Sequence, residues 1–510
     1  MAKKPLVLIV RDGWGIGTGD AGDAVSAANT PNMDAILDTC PTCTIDAAGS
    51  PVGVRDGSQG SSEVGHLNLG AGRIVKQEIL RVDDMIADGS LFQVPRYREA
   101  IERCKTTGAA FHLMGLVQDQ GVHATEDHLH AFLRELAAEG VSNVVVHFFS
   151  DGRDTAPQSA LGFLDKLEAV LAETGGRIGT LMGRYYAMDR AENWDRTKRA
   201  YDLLLCGTGH AVHSAREAIE LAYARAETQK AEGADIVEND EFIDPSVIVD
   251  AEGAPVGIIK PGDCVLHLNY RQDRALQLTN AFVDEPFGGF DRAKPDVFYM
   301  GLTRYFDEFT FELVPPMNMA NLLGEVISAK GLRQLRIAEF QKYKHVTSFF
   351  NGKLLEPYTG EDRILVDSIS IPEDQKPAMS AYEVTDLALV AISESIGAAR
   401  DAAESHEIGH YEGKDPEDAC ACELKDTYDV IVLNYANCDM VGHTGVFEAA
   451  RQSVEVTDEC LGKVVEATLE RGGALLITSD HGNAERMADE QGNVQTAHTT
   501  NLVTCSLVSN

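Results

Sequence analysis

Three apolar runs of this chain are each followed closely by an acidic residue. The run 6–10 precedes Asp12, the run 430–433 precedes Asp439, and the run 474–478 precedes Asp480. Short apolar runs bounded by polar residues are typical of buried strands. In an open sheet of parallel strands, ligands bind in the crevice beyond the carboxyl ends of the strands. The pattern therefore predicts an α/β fold that gathers carboxylates at one edge of a sheet.

Histidines and a serine pair accompany these carboxylates. The histidines follow two of the same strands or lie near the end of the sequence: His443, His481 and His498. Ser61 and Ser62 lie in a glycine-containing loop near the start. Two-metal sites for phosphoryl transfer hold their ions roughly 3.5–4 Å apart, next to the attacking oxygen. We therefore predict a two-metal site beside a serine nucleophile.

Length and charge limit the alternatives. A chain of 510 residues exceeds what one hydrophobic core usually holds, so we expect at least two domains. The formal net charge of -36 disfavours nucleic acid and anionic membrane as partners. No apolar run approaches the roughly 18 residues of a membrane span, and the first run is too short for a signal peptide. We expect a cytoplasmic protein with reduced thiols.

The cysteines include one CxxC pair, Cys40 and Cys43. A structural zinc site would need a second pair with similar spacing. The nearest candidates, Cys420 and Cys422, are separated by a single residue. The spacing therefore favours ordinary thiols over a zinc site.

Candidate metal ligands occur only before about residue 70 and after about residue 430, and arginines follow the strands between them. This distribution predicts a discontinuous metal-binding domain at 1–76 and 316–510. A substrate-binding α/β domain is predicted at 84–307, with joints near 77–84 and 308–316. The acidic segment 406–424 is predicted to be a surface insertion.

Local patterns support α/β order in the middle of the chain. Residues 125–140 have helical spacing, with Thr125 as a possible cap and Gly140 as a stop signal. The apolar run 144–149 predicts a strand that leads into Arg153 and Asp154. A second strand, at 266–270, leads into a loop at 271–274 that carries two arginines.

Ser62 is the candidate nucleophile. A serine hydroxyl needs a base or a metal to attack at neutral pH, and metal ligands are predicted nearby. The predicted helix after it, at 63–69, would present its amino end to an anion. The simpler alternative is that Ser61 and Ser62 only cap that helix. The local sequence alone leaves these two interpretations open.

The sequences around these residues closely resemble the cofactor-independent phosphoglycerate mutases of the alkaline phosphatase superfamily. The resemblance covers nearly the whole chain and rests on DGWG at 12–15, SEVGHLN at 62–68, DMVGHTG at 439–445 and SDHGN at 479–483. It implies two Mn²⁺ ions and no bisphosphoglycerate. One ion would be held by Asp12, Ser62, Asp480 and His481, and the other by Asp439, His443 and His498. The implied fold is an alkaline-phosphatase-like metal domain with an inserted α/β transferase domain.

The same resemblance implies which residues bind the substrate. They are His123, Arg153, Asp154, Arg184, Arg190, Arg271 and Arg274, with Lys342 at the domain junction. Phosphoglycerate carries a phosphate and a carboxylate, and arginine side chains match both groups with paired hydrogen bonds. Either Asp154 or His123 could carry a proton between the substrate hydroxyls, and the sequence leaves this open.

The expected activity is the interconversion of 3-phosphoglycerate and 2-phosphoglycerate through a phosphoserine, in glycolysis and gluconeogenesis, by a monomer. The nearest alternative is a metal-dependent phosphomonoester hydrolase with the same metal domain. The arginine-rich middle segment disfavours it, since a hydrolase need not retain its dephosphorylated product. A non-catalytic scaffold would not need Ser62 among metal-type ligands.

Overall fold

Strands and helices alternate along most of the chain, as parallel sheets with crossover helices require. A computed structural model describes residues 4–233, 237–393, 428–489 and 491–510. Within these ranges, no helix has the length and apolar character needed to span a membrane. The predicted surface insertion at 406–424 lies outside the described residues.

The strands are β1 (Leu6–Arg11), β2 (Thr42–Ile45), β3 (Phe111–Leu116), β4 (Val144–Ser150), β5 (Arg177–Gly183), β6 (His210–Val212), β7 (Ser246–Ile248), β8 (Cys264–His267), β9 (Phe298–Thr303), β10 (Glu312–Val314), β11 (Gln334–Glu339), β12 (Glu361–Val366), β13 (Val430–Tyr435), β14 (Ala474–Thr478) and β15 (Val503–Ser509).

The α-helices are α1 (Ala24–Ala27), α2 (Pro31–Thr39), α3 (Ser62–Ala71), α4 (Glu78–Ala87), α5 (Pro95–Thr107), α6 (Glu126–Ala138), α7 (Ala160–Thr174), α8 (Arg184–Ala187), α9 (Trp194–Cys206), α10 (Ala215–Ala231), α11 (Leu276–Val283), α12 (Leu323–Ala329), α13 (Phe340–Lys344), α14 (Ala381–Ile392), α15 (Asn437–Gly442) and α16 (Phe447–Glu470). Short 3-10 turns lie at Ser50–Val52, Ser90–Gln93, Asp240–Phe242 and Gln272–Arg274, and a π-helical turn lies at His345–Phe349.

The chain divides into two compact units, each built around one sheet. The first unit consists of Met1–Gln77 and Asn318–Asn510, and the second consists of Glu78–Met317. Strands β3 to β10 form the sheet of the second unit, and the remaining strands form that of the first. The roles predicted for the two segments, metal binding and substrate binding, stay predictions at this point.

The sheet of the first unit has the strand order β12-β11-β13-β1-β14-β15-β2. β1 runs parallel to β13 on one side and to β14 on the other. Val7 and Ile9 pack into the core on one face, while Leu8 and Val10 pack into the core on the other. Because both faces of β1 are covered, its sequence is a continuous apolar run rather than an alternating one.

The sheet of the second unit has the strand order β10-β9-β8-β3-β4-β5-β7-β6. β5 and β7 are antiparallel, and the other paired strands run parallel. Phe111 and Leu113 of β3 pack into one core, whereas Met114 and Leu116 pack into another. This sheet too is covered on both faces, so its inner strands β3 and β4 are buried along their whole length, including the polar His112 and His147.

The sequence correctly predicted the presence of a helix and a strand in the second unit, but it predicted their ends less accurately. The predicted helix at 125–140 is α6, and Thr125 is its N-cap residue, but the Thr125 side chain makes no capping hydrogen bond. The Gln118 carbonyl accepts the first helical N–H, from Glu126, instead. The strand predicted at 266–270 ends at His267.

Candidate metal centre

Three strand ends of the first unit bring acidic residues to one edge of its sheet. β1 lies between β13 and β14 and runs parallel to both, so the three strands end at the same edge. Asp12 follows β1, Asp480 follows β14, and Asp439 lies on α15 after β13. All three carboxylates are buried. Gly13 allows the close approach, because a Cβ there would lie 2.6 Å from the Asp439 backbone.

One group of metal-type ligands consists of Asp439, His443 and His498. The two histidine Nε2 atoms lie 3.2 and 3.0 Å from Asp439 Oδ1, and 3.1 Å from each other. His443 Nδ1 lies 2.7 Å from the Thr496 carbonyl, and His498 Nδ1 lies 2.9 Å from that of Gly60. A carbonyl can only accept, so each Nδ1 carries the proton and each Nε2 lone pair faces Asp439. Metal-binding histidines use this tautomer.

A second group surrounds Asp12. His481 Nε2 lies 3.4 Å from Asp12 Oδ1, 3.6 Å from Asp480 Oδ2 and 3.9 Å from Asp439 Oδ1. Asp480 Oδ2 is buried and accepts no hydrogen bond of normal geometry from the described residues. Burying an unpaired carboxylate oxygen is costly, and a cation relieves that cost. Carboxylate and imidazole donors of this kind fit a divalent metal ion.

The two serines have different surroundings. Ser61 is the N-cap of α3, and its Oγ accepts a hydrogen bond from the Val64 N–H at 3.3 Å. Ser62 is the first residue of α3. Its Oγ lies 3.1 Å from Asp12 Oδ1 and 2.9 Å from His481 Nε2. Only Ser62, therefore, has its hydroxyl among the metal-type ligands.

Lys342 lies in the middle of this cluster. Its Nζ donates to Asp12 Oδ1 at 2.7 Å, to Ser62 Oγ at 2.7 Å and to Asp439 Oδ2 at 2.6 Å. The side chain is buried and comes from α13, which follows β11, the neighbour of β13. Lys342 belongs to the first unit, and its expected position at a domain junction stays a prediction.

The buried carboxylates and Lys342 shift one another's pKa values. Burial and the charge of Asp480 raise the pKa of Asp12. Burial also opposes ionisation of Asp439, but the Lys342 ammonium outweighs it and holds the pKa of that carboxyl well below the usual range. Burial likewise disfavours charged Lys342, but Asp12 and Asp439 outweigh it and raise the pKa. Three carboxylates around one ammonium leave negative charge that favours cations.

His66 and Asn434 also belong to the cluster, and neither was predicted from the sequence. Asn434 Nδ2 donates to Asp12 Oδ2 at 2.8 Å and lies 3.1 Å from His66 Nε2. His66 Nδ1 lies 2.9 Å from the Ser62 carbonyl and 3.3 Å from Asp480 Oδ2. Their positions in the sequence could have indicated that they belong to the site. His66 lies one helical turn after Ser62, and Asn434 lies near the end of β13.

In the second unit, predicted substrate-binding arginines pair with carboxylates. Arg184 begins α8 directly after β5, and its side chain is buried. Its Nη1 donates to Asp151 at 2.7 Å and to Asp154 at 2.6 Å. Arg153, which is more exposed, donates to Glu241 at 3.2 Å. These pairs hold the guanidinium groups in place at the strand ends.

Asp273 gathers three more of the predicted residues. Arg190 Nη1 donates to it at 2.7 Å, and Arg271 Nε lies 3.1 Å from Oδ1. His123 Nδ1 lies 3.7 Å from the same oxygen. Arg274 donates instead to a backbone carbonyl, at 3.0 Å. Asp273 was not predicted from the sequence, because one acid among arginines resembles an ordinary surface charge.

These cations are close enough to influence one another. Burial and the charges of three neighbours lower the pKa of Arg274, namely Arg184, Arg190 and Arg153. Burial and the Arg184 charge lower the pKa of His123 to about 4, so His123 is neutral at pH 7. The buried His123 Nδ1 has no hydrogen-bond partner among the described residues. Clustered arginines with a free histidine nitrogen beside them suit a small anionic ligand. This local positive charge is notable because the chain as a whole has a net charge of -36.

Comparison with known proteins shows the family. The model for the BPG-independent PGAM N-terminus matches residues 82–307, and that for the metalloenzyme superfamily matches residues 412–510. The 2,3-bisphosphoglycerate-independent phosphoglycerate mutase of Acetivibrio thermocellus is 45% identical over 99% of this chain and 91% of its own length. An enzyme of that name from Methanosarcina barkeri is 45% identical over 100% of this chain and 92% of its own. The chain belongs to the 2,3-bisphosphoglycerate-independent phosphoglycerate mutase family.

A solved structure agrees with this membership. The crystal structure of Leishmania mexicana phosphoglycerate mutase at low cobalt concentration is 32% identical and has a TM-score of 0.62. The match covers 100% of this chain and 90% of that one. The family and the α/β fold predicted from the sequence are confirmed. The metalloenzyme match and the ligand groups support the use of a divalent metal.

The geometry of the serine pair predicts opposite effects of two substitutions. Ser62→Ala should abolish catalytic activity, because within the described ranges no other hydroxyl contacts both Asp12 and His481. Ser61→Ala should keep substantial activity but lose about 0.5–2 kcal/mol of stability, because it removes a helix cap. Activity assays and thermal unfolding of both variants measure the two effects. Equal loss of activity in both variants would leave the nucleophile unassigned, and loss in Ser61→Ala alone would reverse the assignment.

Proposed function

We propose that this chain interconverts 3-phosphoglycerate and 2-phosphoglycerate through a phosphoserine formed at Ser62. The observation that carries the proposal is the position of Ser62 Oγ, within 3.1 Å of Asp12, His481 and Lys342. Relatives that match over nearly their full length bear the mutase name. The reaction belongs to glycolysis and gluconeogenesis, and we propose a cytoplasmic monomer as the active form.

We assign the two ligand groups to two divalent ions, with Mn²⁺ as the expected metal. Asp439, His443 and His498 would hold one ion, and Asp12, Ser62, Asp480 and His481 would hold the other. When bound, such ions lower the pKa of a coordinated hydroxyl and neutralise charge on a phosphoryl group. The histidine tautomers and the buried Asp480 oxygen support the assignment.

Ser62 accepts the phosphoryl group in this proposal. In the first half of the reaction the Ser62 Oγ–P bond forms, the substrate P–O bond breaks, and the freed substrate oxygen takes up a proton. In the second half the other glycerate hydroxyl attacks phosphorus and gives up its proton, and the Oγ–P bond breaks. Lys342 donates to Ser62 Oγ at 2.7 Å and stays charged, so it stabilises negative charge on that oxygen.

The second unit supplies the groups that hold the glycerate. We assign this role to His123, Arg153, Asp154, Arg184, Arg190, Arg271 and Arg274, and we assign Lys342 to the phosphoryl group. Two of them can carry the proton between the glycerate hydroxyls. His123 is neutral at pH 7 and has a free acceptor or donor at Nδ1. Asp154 is the other candidate, and its carboxylate is held by Arg184 at 2.6 Å.

We accordingly assign 1–76 and 316–510 as the metal-binding, phosphatase-like domain and 84–307 as the substrate-binding transferase domain. The alternative activity, plain phosphomonoester hydrolysis, is not favoured by the relatives. Hydrolysis also gives no role to the arginines of the second unit, because the water molecule that would take the phosphoryl group needs no contact with them. A mutase must keep glycerate bound while phosphate rests on the serine.

The proposal is tested by an assay of the purified chain without bisphosphoglycerate. We expect conversion of 3- to 2-phosphoglycerate with added Mn²⁺, complete loss after exhaustive chelation, and recovery when Mn²⁺ is restored. Asp439→Asn should behave like the chelated enzyme, because it removes a ligand charge. Glu466→Gln, which changes an exposed carboxylate of the same unit, is the matched control and should keep full activity. Full activity after chelation would contradict the metal assignment, and phosphate release without 2-phosphoglycerate would indicate the hydrolase.

Arg271 and Arg274 give a test of glycerate retention. Replacing either with Ala should remove a charge-assisted contact of roughly 1.5–3 kcal/mol and loosen the intermediate about tenfold or more. Isomerisation should then fall further than hydrolysis of the phosphoserine. The ratio of free phosphate to 2-phosphoglycerate formed from 3-phosphoglycerate should therefore rise.

The control for this test is Arg216→Ala, which changes a surface arginine of the same unit that pairs with Asp165 and Glu168. Its product ratio should equal that of the unmodified chain. If Arg271→Ala and Arg274→Ala also keep the original ratio while both rates fall together, these arginines do not retain the glycerate.

A further inference from the structure

Cys43 and Cys505 lie opposite each other on neighbouring strands. β2 pairs with β15 in an antiparallel register that aligns Cys43 with Cys505. Facing residues of such strands have Cα atoms roughly 4.5–5.5 Å apart, and disulfides join Cα atoms roughly 4.4–6.8 Å apart. Cys43 Sγ lies 3.7 Å from the Cys505 carbonyl oxygen, and both thiols are free. The pair therefore meets the backbone requirement for a disulfide.

The two thiols differ in access to solvent. Cys43 is exposed and lies on β2, the last strand of the sheet, whereas Cys505 is partly buried. Burial and the neighbouring Cys43 raise the pKa of the Cys505 thiol. The exposed Cys43 is thus the sulfur that an oxidant in solution reaches first, and Cys505 is placed to react second.

We propose that Cys43 and Cys505 form a reversible disulfide when the chain meets a peroxide. The Cys43 thiol releases its proton, the thiolate sulfur attacks hydrogen peroxide, and the O–O bond breaks. The departing hydroxide takes up that proton, so a sulfenic acid and one water form. The Cys505 sulfur then attacks the sulfenic sulfur, the S–S bond forms, and a second water leaves with the Cys505 proton. The two thiols are oxidised by two electrons in total, and the peroxide is reduced by two. A thiol reductant reverses the change.

The crosslink would join positions 462 residues apart in the sequence. Closing so long a loop restricts the unfolded chain and stabilises the folded first unit. Oxidation should therefore raise the melting temperature of that unit by several degrees. The shift should disappear in Cys43→Ser and in Cys505→Ser.

The experiment treats the reduced full-length chain with hydrogen peroxide and maps disulfides by mass spectrometry of unreduced peptides. We expect a peptide that joins Cys43 to Cys505, lost on reduction and absent from both serine variants. Cys206→Ser, which changes an exposed thiol of the second unit, and Cys40→Ser should both keep the crosslink. A Cys40–Cys43 crosslink, or only further-oxidised Cys43 without any crosslink, would overturn the proposal.

The position of His66 supports a second inference, which rests on the proposed metal sites. Asn434 faces the Asp12 carboxylate, which as a metal ligand can only accept, so the amide nitrogen of Asn434 must point toward it. The same nitrogen lies 3.1 Å from His66 Nε2 and has a second hydrogen to donate. His66 Nε2 therefore accepts, and Nδ1 carries the proton.

The proton on His66 Nδ1 has two acceptors within reach. It donates to the Ser62 carbonyl at 2.9 Å and lies 3.3 Å from Asp480 Oδ2. Both ring nitrogens are then engaged, and neither offers a lone pair to a metal. Asp12, His66 and Asp480 are close enough to form a ligand group, but the hydrogen bonds exclude the histidine from it.

We infer that His66 is a positioning residue and not a metal ligand. Its Nδ1–H donates to the Ser62 carbonyl and so holds the first turn of α3, which carries Ser62, beside Asp480. Hydrogen bonds behind metal ligands typically change metal affinity about 10- to 100-fold when removed. Removing His66 should therefore weaken metal binding without changing the number of ions bound.

Manganese stoichiometry and affinity of the purified chain test this role. We expect His66→Ala to bind as many ions as the unmodified chain, with about 10- to 100-fold lower affinity, and to have a lower kcat. His66→Asn should recover much of both, because its amide N–H can replace Nδ1–H. His481→Ala should lose one ion and is the reference for a missing ligand. One ion fewer in His66→Ala overturns this inference, whereas an unmodified chain that binds no manganese overturns the metal assignment as well.

Discussion

The first unit depends on burying Asp12, Asp439 and Asp480 close together. Carboxylates at such distances repel one another strongly away from water, so the fold can keep them only with positive charge among them. Lys342 supplies one ammonium, with hydrogen bonds to Asp12 and Asp439. The charge that it leaves uncompensated makes this edge of the sheet a cation site. The pairing of β1 with β13 and β14 brings the three acidic residues together, since no single loop carries all three.

Backbone carbonyls determine which ring nitrogen carries the proton in two histidines around these acids. The carbonyls of Thr496 and Gly60 fix the protons of His443 and His498 on Nδ1, so both Nε2 lone pairs face Asp439. The second unit uses side chains for a similar purpose, because Asp151 and Asp154 hold the fork of the buried Arg184. In both cases a group to which the proposed mechanism assigns the binding of a charged species is oriented by its surroundings, which reduces the entropy lost on binding.

The parts of the site that the sequence predicted are those that follow strands directly. Asp12, Asp439 and Asp480 could be recognised because an apolar run indicates a buried strand, and the polar residues after it indicate where that strand ends. The environment of Lys342 could not, since it depends on β11 pairing with β13 some hundred residues later. His66 and Asn434 were missed because each looks like an ordinary helix or strand residue until its hydrogen bonds are known. The α/β class followed from alternation alone, whereas the start of α6 depends on the Gln118 carbonyl and the end of β8 depends on how far it pairs with β3 and β9.

The position of β1 in its sheet has a consequence for how the chain is made. β1 is synthesised first among the strands, yet its two neighbours, β13 and β14, lie more than 400 residues later. At roughly 5–20 residues per second on a ribosome, β1 waits on the order of tens of seconds for either partner. The second unit is continuous in sequence and can fold during that wait. For most of its synthesis the chain therefore carries an apolar strand without its sheet neighbours, and such a strand is prone to aggregate until β13 and β14 emerge.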